Sequence, residues 1–256
     1  VTTGGSGQNL NVDYRFVDKT AVVGGSIGRD APPKAFYRAI DNPYASFARI
    51  FAKVWSESGG QWQNPSYEIS KNLVPMTSIY THESKPVSRL FLDINKLSTN
   101  LGAELIALAA VNKKGIRPLT PTGFEKFIES CVKDFGLPTS SIQMSNASGL
   151  SRTTKVTASA LSDFLSRLRE TTFFPEYLSS LSVVGRDGTT RSRLKDRAGR
   201  ARLKTGSIRN VRSIAGYVYP KSEEPLTFSM IFNDAKIADA QIQSLENQVL
   251  ELLMEL

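Results

Sequence analysis

A single cysteine and a single histidine stand among the 256 residues of this chain, and their scarcity removes two classes of site chemistry. Cys131 alone cannot build an internal disulfide framework, and His82 has no cysteine or histidine partner at ligand spacing. No metal and no other cofactor is therefore expected. Long apolar runs are missing too: nothing approaches the ~18 uninterrupted residues of a spanning helix, and the first residues lack the basic-then-apolar order of a secretory leader. The chain reads as soluble as given, with no transmembrane segment. The formal net charge is +8, a field that attracts nucleic acid, anionic lipid and acidic polymers alike. The basic residues crowd between Arg186 and Arg212 without an interleaved aromatic stacking platform. A solvated basic face is expected there, and no nucleic-acid partner.

What is present supports a packed fold. Two-fifths of the residues are hydrophobic, 40%, enough for one good core with a smaller appended unit. The opening Thr2-Thr3-Gly4-Gly5-Ser6-Gly7-Gln8 reads as a flexible linker. Val12 to Asp18 and Thr20 to Ser26 read as two strands ahead of the turn Asp30-Ala31-Pro32-Pro33. From Asn42 the period becomes helical, with Pro43 in the first turn, Phe47, Ile50, Phe51 and Val54 on one face, and Gly59-Gly60 as a stop. A strand is expected near Met76 to His82, then helices around Val87 to Asn95 and Leu101 to Val111, ended by Lys113-Lys114-Gly115. Thr122 and Glu125 form a capping box for a helix whose apolar face runs Phe124, Phe127, Ile128, Cys131, Val132, Phe135. Thr157 precedes another, with Leu161, Phe164, Leu165 and Leu168 inward. After Lys204 the period is two, predicting adjacent antiparallel strands over Val211 to Tyr219 and Leu226 to Phe232. A final helix places Ile242, Leu245, Val249, Leu252 and Leu253 on one face. The fold class is therefore α/β in the α+β sense, an antiparallel sheet flanked by helices.

Two short strings carry chemistry. Lys204-Thr205-Gly206-Ser207, at the start of a strand, combines a cation, two hydroxyls and a glycine that lets backbone approach a ligand. Such a set suits a carboxylate, and an edge-strand N–H beside it suits a developing oxyanion. On its own it reads equally well as a solvated turn. Ser98-Thr99-Asn100 falls at a helix junction, where Ser and Asn two positions apart can enter a cleft or simply cap a helix.

Taken together they match the second and third signatures of the set S-x-x-K, S-x-N, K-T-G. With their flanks, Ile94 to Glu104, Ser148-Gly149-Leu150-Ser151-Arg152, Leu203 to Ser207 and Ser213 to Val218, the chain resembles the D-alanyl-D-alanine carboxypeptidase/endopeptidase family, the class C low-molecular-mass penicillin-binding proteins, from about Gly25 onward. The resemblance implies a penicillin-binding-protein/β-lactamase-like transpeptidase fold. It implies a serine peptidase that forms an acyl-enzyme on peptidoglycan stem peptides, is acylated by β-lactam antibiotics, and works in the periplasm or another extracytoplasmic space. It assigns Ser98 to proton transfer towards the leaving amine and Asn100 to the acyl side of the substrate. Lys204, Thr205 and Ser207 hold the terminal carboxylate, with Gly206 among them and the Ser207 N–H in the oxyanion hole. Arg152 either meets a stem-peptide carboxylate or pins its loop; Arg209 lies near an expected polar contact.

The sequence departs from the family in two places. Nothing before Ser98 supplies S-x-x-K, and Ser192-Arg193-Leu194-Lys195 has the letters in a setting too basic for a lysine base. Residues 1–30 are thus expected to be a linker and the end of an inserted β-rich domain, and residues 31–256 the C-terminal part of the transpeptidase-like domain, with nucleophile and leader upstream. Asn146-Ala147 also stands where relatives have Asp-Gly. Two other readings remain open at this point: a non-catalytic peptidoglycan-binding or scaffolding relative, and a β-lactamase or esterase on the same fold.

Overall fold

A computed structural model describes residues 1–4, 7–15, 20–36, 38–62, 66, 77–78, 80–117, 120–221 and 224–256. They fall into two compact units, Val1–Thr81 and His82–Leu256.

In the first unit β2 (Gln8–Arg15) alternates in burial along its length and pairs antiparallel with β3 (Thr20–Ile27), Val12 opposite Val23. The opening is not a free linker. β1 (Thr2–Thr3) runs parallel to β3, Thr2 opposite Ser26, and Gln8 already belongs to β2. Residues 16–18 of the expected strand lie outside the described residues. Helix α1 (Pro43–Glu57) begins as predicted: the Asn42 side chain accepts the Ala45 N–H at 2.9 Å and Pro43 needs no donor of its own. Its apolar stripe is real but is not a core face, since Phe47 is 70% exposed and only Ala45 of the helix is buried. Of the strand expected over Met76 to His82, residues 76 and 79 lie outside the described residues, and 77–78 and 80–82 carry no regular structure.

The second unit builds the site. Helices α2 (Val87–Leu97) and α3 (Asn100–Lys113) meet at Ser98, and α4 (Pro121–Asp134) follows. The cap of α4 is Thr120, which accepts the Gly123 N–H at 3.0 Å, not Thr122. Pro121 fixes this register, because a proline is tolerated in the first turn and Thr122 then falls inside the helix. Thr120→Ala is expected to cost about 1 kcal/mol and Thr122→Ala much less, as thermal unfolding of the two variants would register. β4 (Ile142–Gln143) and β5 (Lys155–Val156) form a two-stranded ribbon at the base of the loop 144–154. Thr157 caps α5 (Ala158–Leu168) as predicted, accepting the Ala160 N–H at 3.1 Å. Helix α6 (Phe174–Ser180), with a proline in its first turn, was not anticipated by periodicity.

The sheet has the order β6-β7-β8-β9, antiparallel throughout, from β6 (Ser182–Val183), β7 (Ala201–Ile208), β8 (Val211–Val218) and β9 (Leu226–Asn233). One face buries Ala201, Leu203, Ile214 and Val218 against Leu250 and Met254 of α7 (Asp239–Glu255). The other places Ala215 and Tyr217 against Leu165 and Leu168 of α5 and Leu181, and the Tyr217 hydroxyl donates to the Leu165 carbonyl at 2.7 Å. The inward face of α7 differs from the predicted one: Ile242, Glu246, Leu250 and Met254 are buried, while Leu252 is 70% exposed. A glutamate occupies this face because Arg193 meets it at 2.9 Å. The basic run is likewise not simply solvated. Arg197 pairs with Glu255 at 3.0 Å and Arg212 with Asp239 at 3.1 Å, and Arg200 donates to the Tyr219 and Met254 carbonyls.

Candidate active site

Ser98 separates α2 from α3 in the left-handed region, φ 56° and ψ 50°. A non-glycine residue there costs about 1–3 kcal/mol, and such strain concentrates at functional sites. Ser98 holds the C-cap position of α2 by its backbone and Thr99, without a side-chain hydrogen bond, the N-cap position of α3, so the Ser98 hydroxyl is not used as a cap. The Ser98 Oγ instead accepts a hydrogen bond from Lys204 Nζ at 3.0 Å, across 106 positions of chain. Lys204 also donates to the Thr205 carbonyl at 3.0 Å. No carboxylate pairs with Lys204 among the described residues, and burial pushes its ammonium pKa below the ordinary lysine value. Asn100 opens α3, exposed, and its side chain makes no hydrogen bond with the described residues.

The Lys204-Thr205-Gly206-Ser207 string lies in the second half of β7 rather than at its start, because pairing with β8 begins at Ala201. Its backbone geometry follows from strand alternation. The Ala201 carbonyl accepts from Val184 on the β6 side, so the polar groups of Leu203, Thr205 and Ser207 point the same way. β6 pairs only with Arg202 and Leu203. Past that point no described strand pairs with this edge, and the Ser207 N–H is directed out of it. Lys204 lies opposite Ala215, so its side chain leaves on the sheet face that α5 covers. The glycine answers a packing need within the sheet: a Cβ on Gly206 would sit 2.5 Å from the Ser213 Oγ.

A turn at the end of β6 joins the same cluster. Lys96 of α2 pairs with Asp187 at 2.5 Å, and Asp187 also accepts the Val183 N–H at 2.7 Å. Burial pushes the Asp187 carboxyl up, and its bonds from Lys96 and Val183 more than reverse this, leaving the pKa lowered. Beyond Asp187, the Thr205 Oγ1 donates to the Thr189 Oγ1 at 2.8 Å.

The loop 144–154 forms a third wall. Glu104, one turn beyond Asn100 on α3, accepts the Ser148 N–H at 3.0 Å and the Ala147 N–H at 3.3 Å. Burial pushes its carboxyl up, but bonds from the Ser148 hydroxyl, the two backbone N–H groups and the Asn146 amide outweigh that and leave the pKa lowered. The Asn146 amide donates to the Ser148 Oγ at 2.9 Å, beside the Glu104 carboxylate, where an aspartate would bring like charge. Arg152 is exposed and donates from Nη2 to the Arg209 carbonyl at 2.9 Å, just past β7. That bond ties the loop to the strand, as the pinning reading expects, though to a carbonyl rather than an acid.

The structure thus joins Ser98, Lys204 and Thr205 directly and brings Arg152 to the end of the same strand. Glu104, Lys96, Asp187 and Thr189 were not legible as site residues, since each is a common residue whose partner lies far away in sequence. Two strings with S-x-x-K letters are excluded by their surroundings. Ser192 and Lys195 are exposed around a buried Arg193. Ser130 and Lys133, which motif reading passes over, lie exposed on the solvated side of α4. Cys131 beside them is half-buried, and burial raises its thiol pKa. His82 is exposed, and the described residues contain no group of three metal-ligating side chains. No described helix is long and apolar enough to cross a membrane.

A D-alanyl-D-alanine carboxypeptidase of Actinomadura sp. (strain R39) is 26% identical over 241 residues, covering 90% of this chain and 44% of that protein. Carboxypeptidase DacB of Mycolicibacterium smegmatis is 30% identical over 167 residues, covering 62% of this chain and 36% of that protein. The chain therefore spans less than half the length of these curated relatives. Penicillin-binding protein 4 of Haemophilus influenzae superposes with a TM-score of 0.73 at 20% identity, over 97% of this chain and 57% of that one, a likeness of fold. The profile of the D-Ala-D-Ala carboxypeptidase 3 (S13) family matches residues 2–256, and the chain belongs to that family.

Proposed function

We propose that this chain supplies the carboxylate-recognising wall of a serine D-Ala-D-Ala carboxypeptidase or endopeptidase acting on peptidoglycan stem peptides outside the cytoplasm. The observation that carries the reading is the 3.0 Å hydrogen bond from Lys204 to Ser98, which unites two separate signatures around a half-buried cation with no acidic partner among the described residues. Lys204, Thr205 and Ser207 hold the terminal D-alanine carboxylate. The Ser207 N–H, on the edge of β7 beyond β6, faces the carbonyl oxygen as it gains charge. A serine from an S-x-x-K helix attacks that carbonyl; the new ester bond forms as the amide C–N bond breaks, and D-alanine leaves. Lys204 donates to Ser98, which leaves the Ser98 hydroxyl proton free to pass to the departing amine while Ser98 takes up the proton that the attacking serine gave to the lysine of its own S-x-x-K helix. Asn100 bonds the acyl side, and Arg152 meets an acidic group of the stem peptide. β-Lactams enter the same site. The β-rich opening fits the end of an inserted domain, and the sheet with its helices fits the C-terminal part of the transpeptidase-like domain.

Penicillin labelling tests this. The 256-residue chain alone is expected to remain unlabelled by a fluorescent penicillin. Adding a polypeptide that carries the missing S-x-x-K helix is expected to restore labelling, and Lys204→Ala to remove it. Stable labelling of the chain alone at Ser98 or Ser192 sinks the assignment. Persistent binding of stem peptides with no labelling under either condition instead favours a non-catalytic binding relative, a reading open because this wall holds a carboxylate without a nucleophile.

A further inference from the structure

Lys204 is not the end of the polar cluster. The Thr189 Oγ1 meets the Thr205 Oγ1 at 2.8 Å, and Thr189 is exposed although its neighbours are not: Ser182 and Thr190 are fully buried. Its backbone is fixed from several sides. The Thr189 N–H donates to the buried Ser182 Oγ at 3.2 Å, and the two hydroxyls lie 3.4 Å apart. Gly188 precedes it at φ +60°, and a Cβ there would fall 2.1 Å from the Ser182 Oγ and 2.9 Å from the Lys96 carbonyl oxygen. Only glycine allows so close a passage beneath α2. Asp187, two residues before Thr189, is already bound by Lys96 and the Val183 N–H, so it is not available to Lys204.

We propose that Thr189 is a further ligand-binding residue of this site, a hydroxyl that joins Lys204 and Thr205 in holding the substrate's terminal carboxylate. The inference rests on the functional reading above and extends it by one residue. Three features support it. A half-buried ammonium without an acidic partner among the described residues calls for an anion. The Thr205 hydroxyl, which donates to Thr189 in the free chain, must turn towards that anion when it arrives, and Thr189 is the adjacent hydroxyl able to turn with it. The Lys96–Asp187 clasp then has a role: it runs from the helix that ends at Ser98 to the turn that presents Thr189, and so keeps both sides of the anion site in register.

The test is a titration of the isotopically labelled 256-residue chain with an N-acylated D-Ala-D-Ala dipeptide and with its C-terminal amide, following the backbone amides of β7. The wild-type chain is expected to bind the acid more tightly than the amide. Thr189→Val, which keeps the shape and removes the hydroxyl, is expected to weaken the acid about tenfold and to leave the amide unchanged. Thr189→Ser is expected to bind as the wild type does. An unchanged acid affinity in Thr189→Val overturns the inference. So does an equal loss in Thr189→Ser, which would assign the effect to the methyl group. Thr189→Ala provides the same comparison should the valine variant fold poorly. If the wild-type chain does not distinguish acid from amide, the functional reading itself fails, an outcome separable from the others.

Discussion

Replacing Arg193 with methionine will lower the unfolding free energy by about 3–5 kcal/mol. The Arg193 and Glu246 side chains are 4% and 2% exposed and meet at 2.9 Å. Arg193 also donates through Nε and Nη2 to the Asn247 Oδ1 at 2.8 and 2.6 Å. Burial disfavours the charged guanidinium, and Glu246 opposes that tendency. Without the guanidinium, the buried Glu246 carboxylate is left without its ion-pair partner. The favourable Coulomb energy of the pair is not what the number measures; it measures an orphaned charge. The double substitution Arg193→Met with Glu246→Met is therefore expected to recover most of the loss, because an apolar pair of similar volume often replaces a buried ion pair at little cost. Urea unfolding of the three proteins separates these outcomes, and a single-variant loss below about 1 kcal/mol would mean the pair behaves like a surface one.

That ion pair also marks where sequence reading stops. Adjacency of basic residues from Arg186 to Arg212 is visible in one dimension, whereas their partners Asp239, Glu246 and Glu255 belong to α7. Reading α7 for apolar residues alone chose a face through Leu245 and Leu252. The i, i+4 series Ile242, Glu246, Leu250, Met254 is the buried one, and only the tertiary partner explains a glutamate in it. At α4 the sequence held a usable signal: Pro121 in the first turn points to Thr120 as the cap. The strands β8 and β9 were legible from their two-residue period, whereas β7 begins at Ala201, ahead of the Lys204 that the sequence reading took as a strand start. Lys204-Thr205-Gly206-Ser207 and Ser98-Thr99-Asn100 were legible as chemistry through family resemblance, but their 3.0 Å contact was not. Neither was the route through Lys96, Asp187 and Thr189, in which no residue type is unusual and each bond crosses from one element to another.

The largest functional effect is expected at Lys204. Lys204→Met keeps the aliphatic stem and removes the ammonium, so acid binding should fall by about ten- to a hundredfold, the value of a charge-assisted hydrogen bond, and the preference for acid over amide should vanish. The pH dependence separates this from simple damage to the sheet. Burial sets the Lys204 pKa below its ordinary 10.5. Between the lowered and the ordinary value the unfolded chain holds the proton more fully than the folded chain does, so stability rises with pH across that window. Binding runs the other way. A carboxylate requires the ammonium, so affinity falls as pH climbs through the lowered value, and bound ligand pulls that value back up. The wild-type chain should therefore become more stable and bind less tightly over the same alkaline interval, while in Lys204→Met both slopes flatten. Calorimetric titration and thermal unfolding across that interval measure the two slopes independently. Affinity that persists unchanged beyond the ordinary lysine range would show that the anion is held by hydroxyls and backbone alone, and would remove Lys204 from the centre of the site.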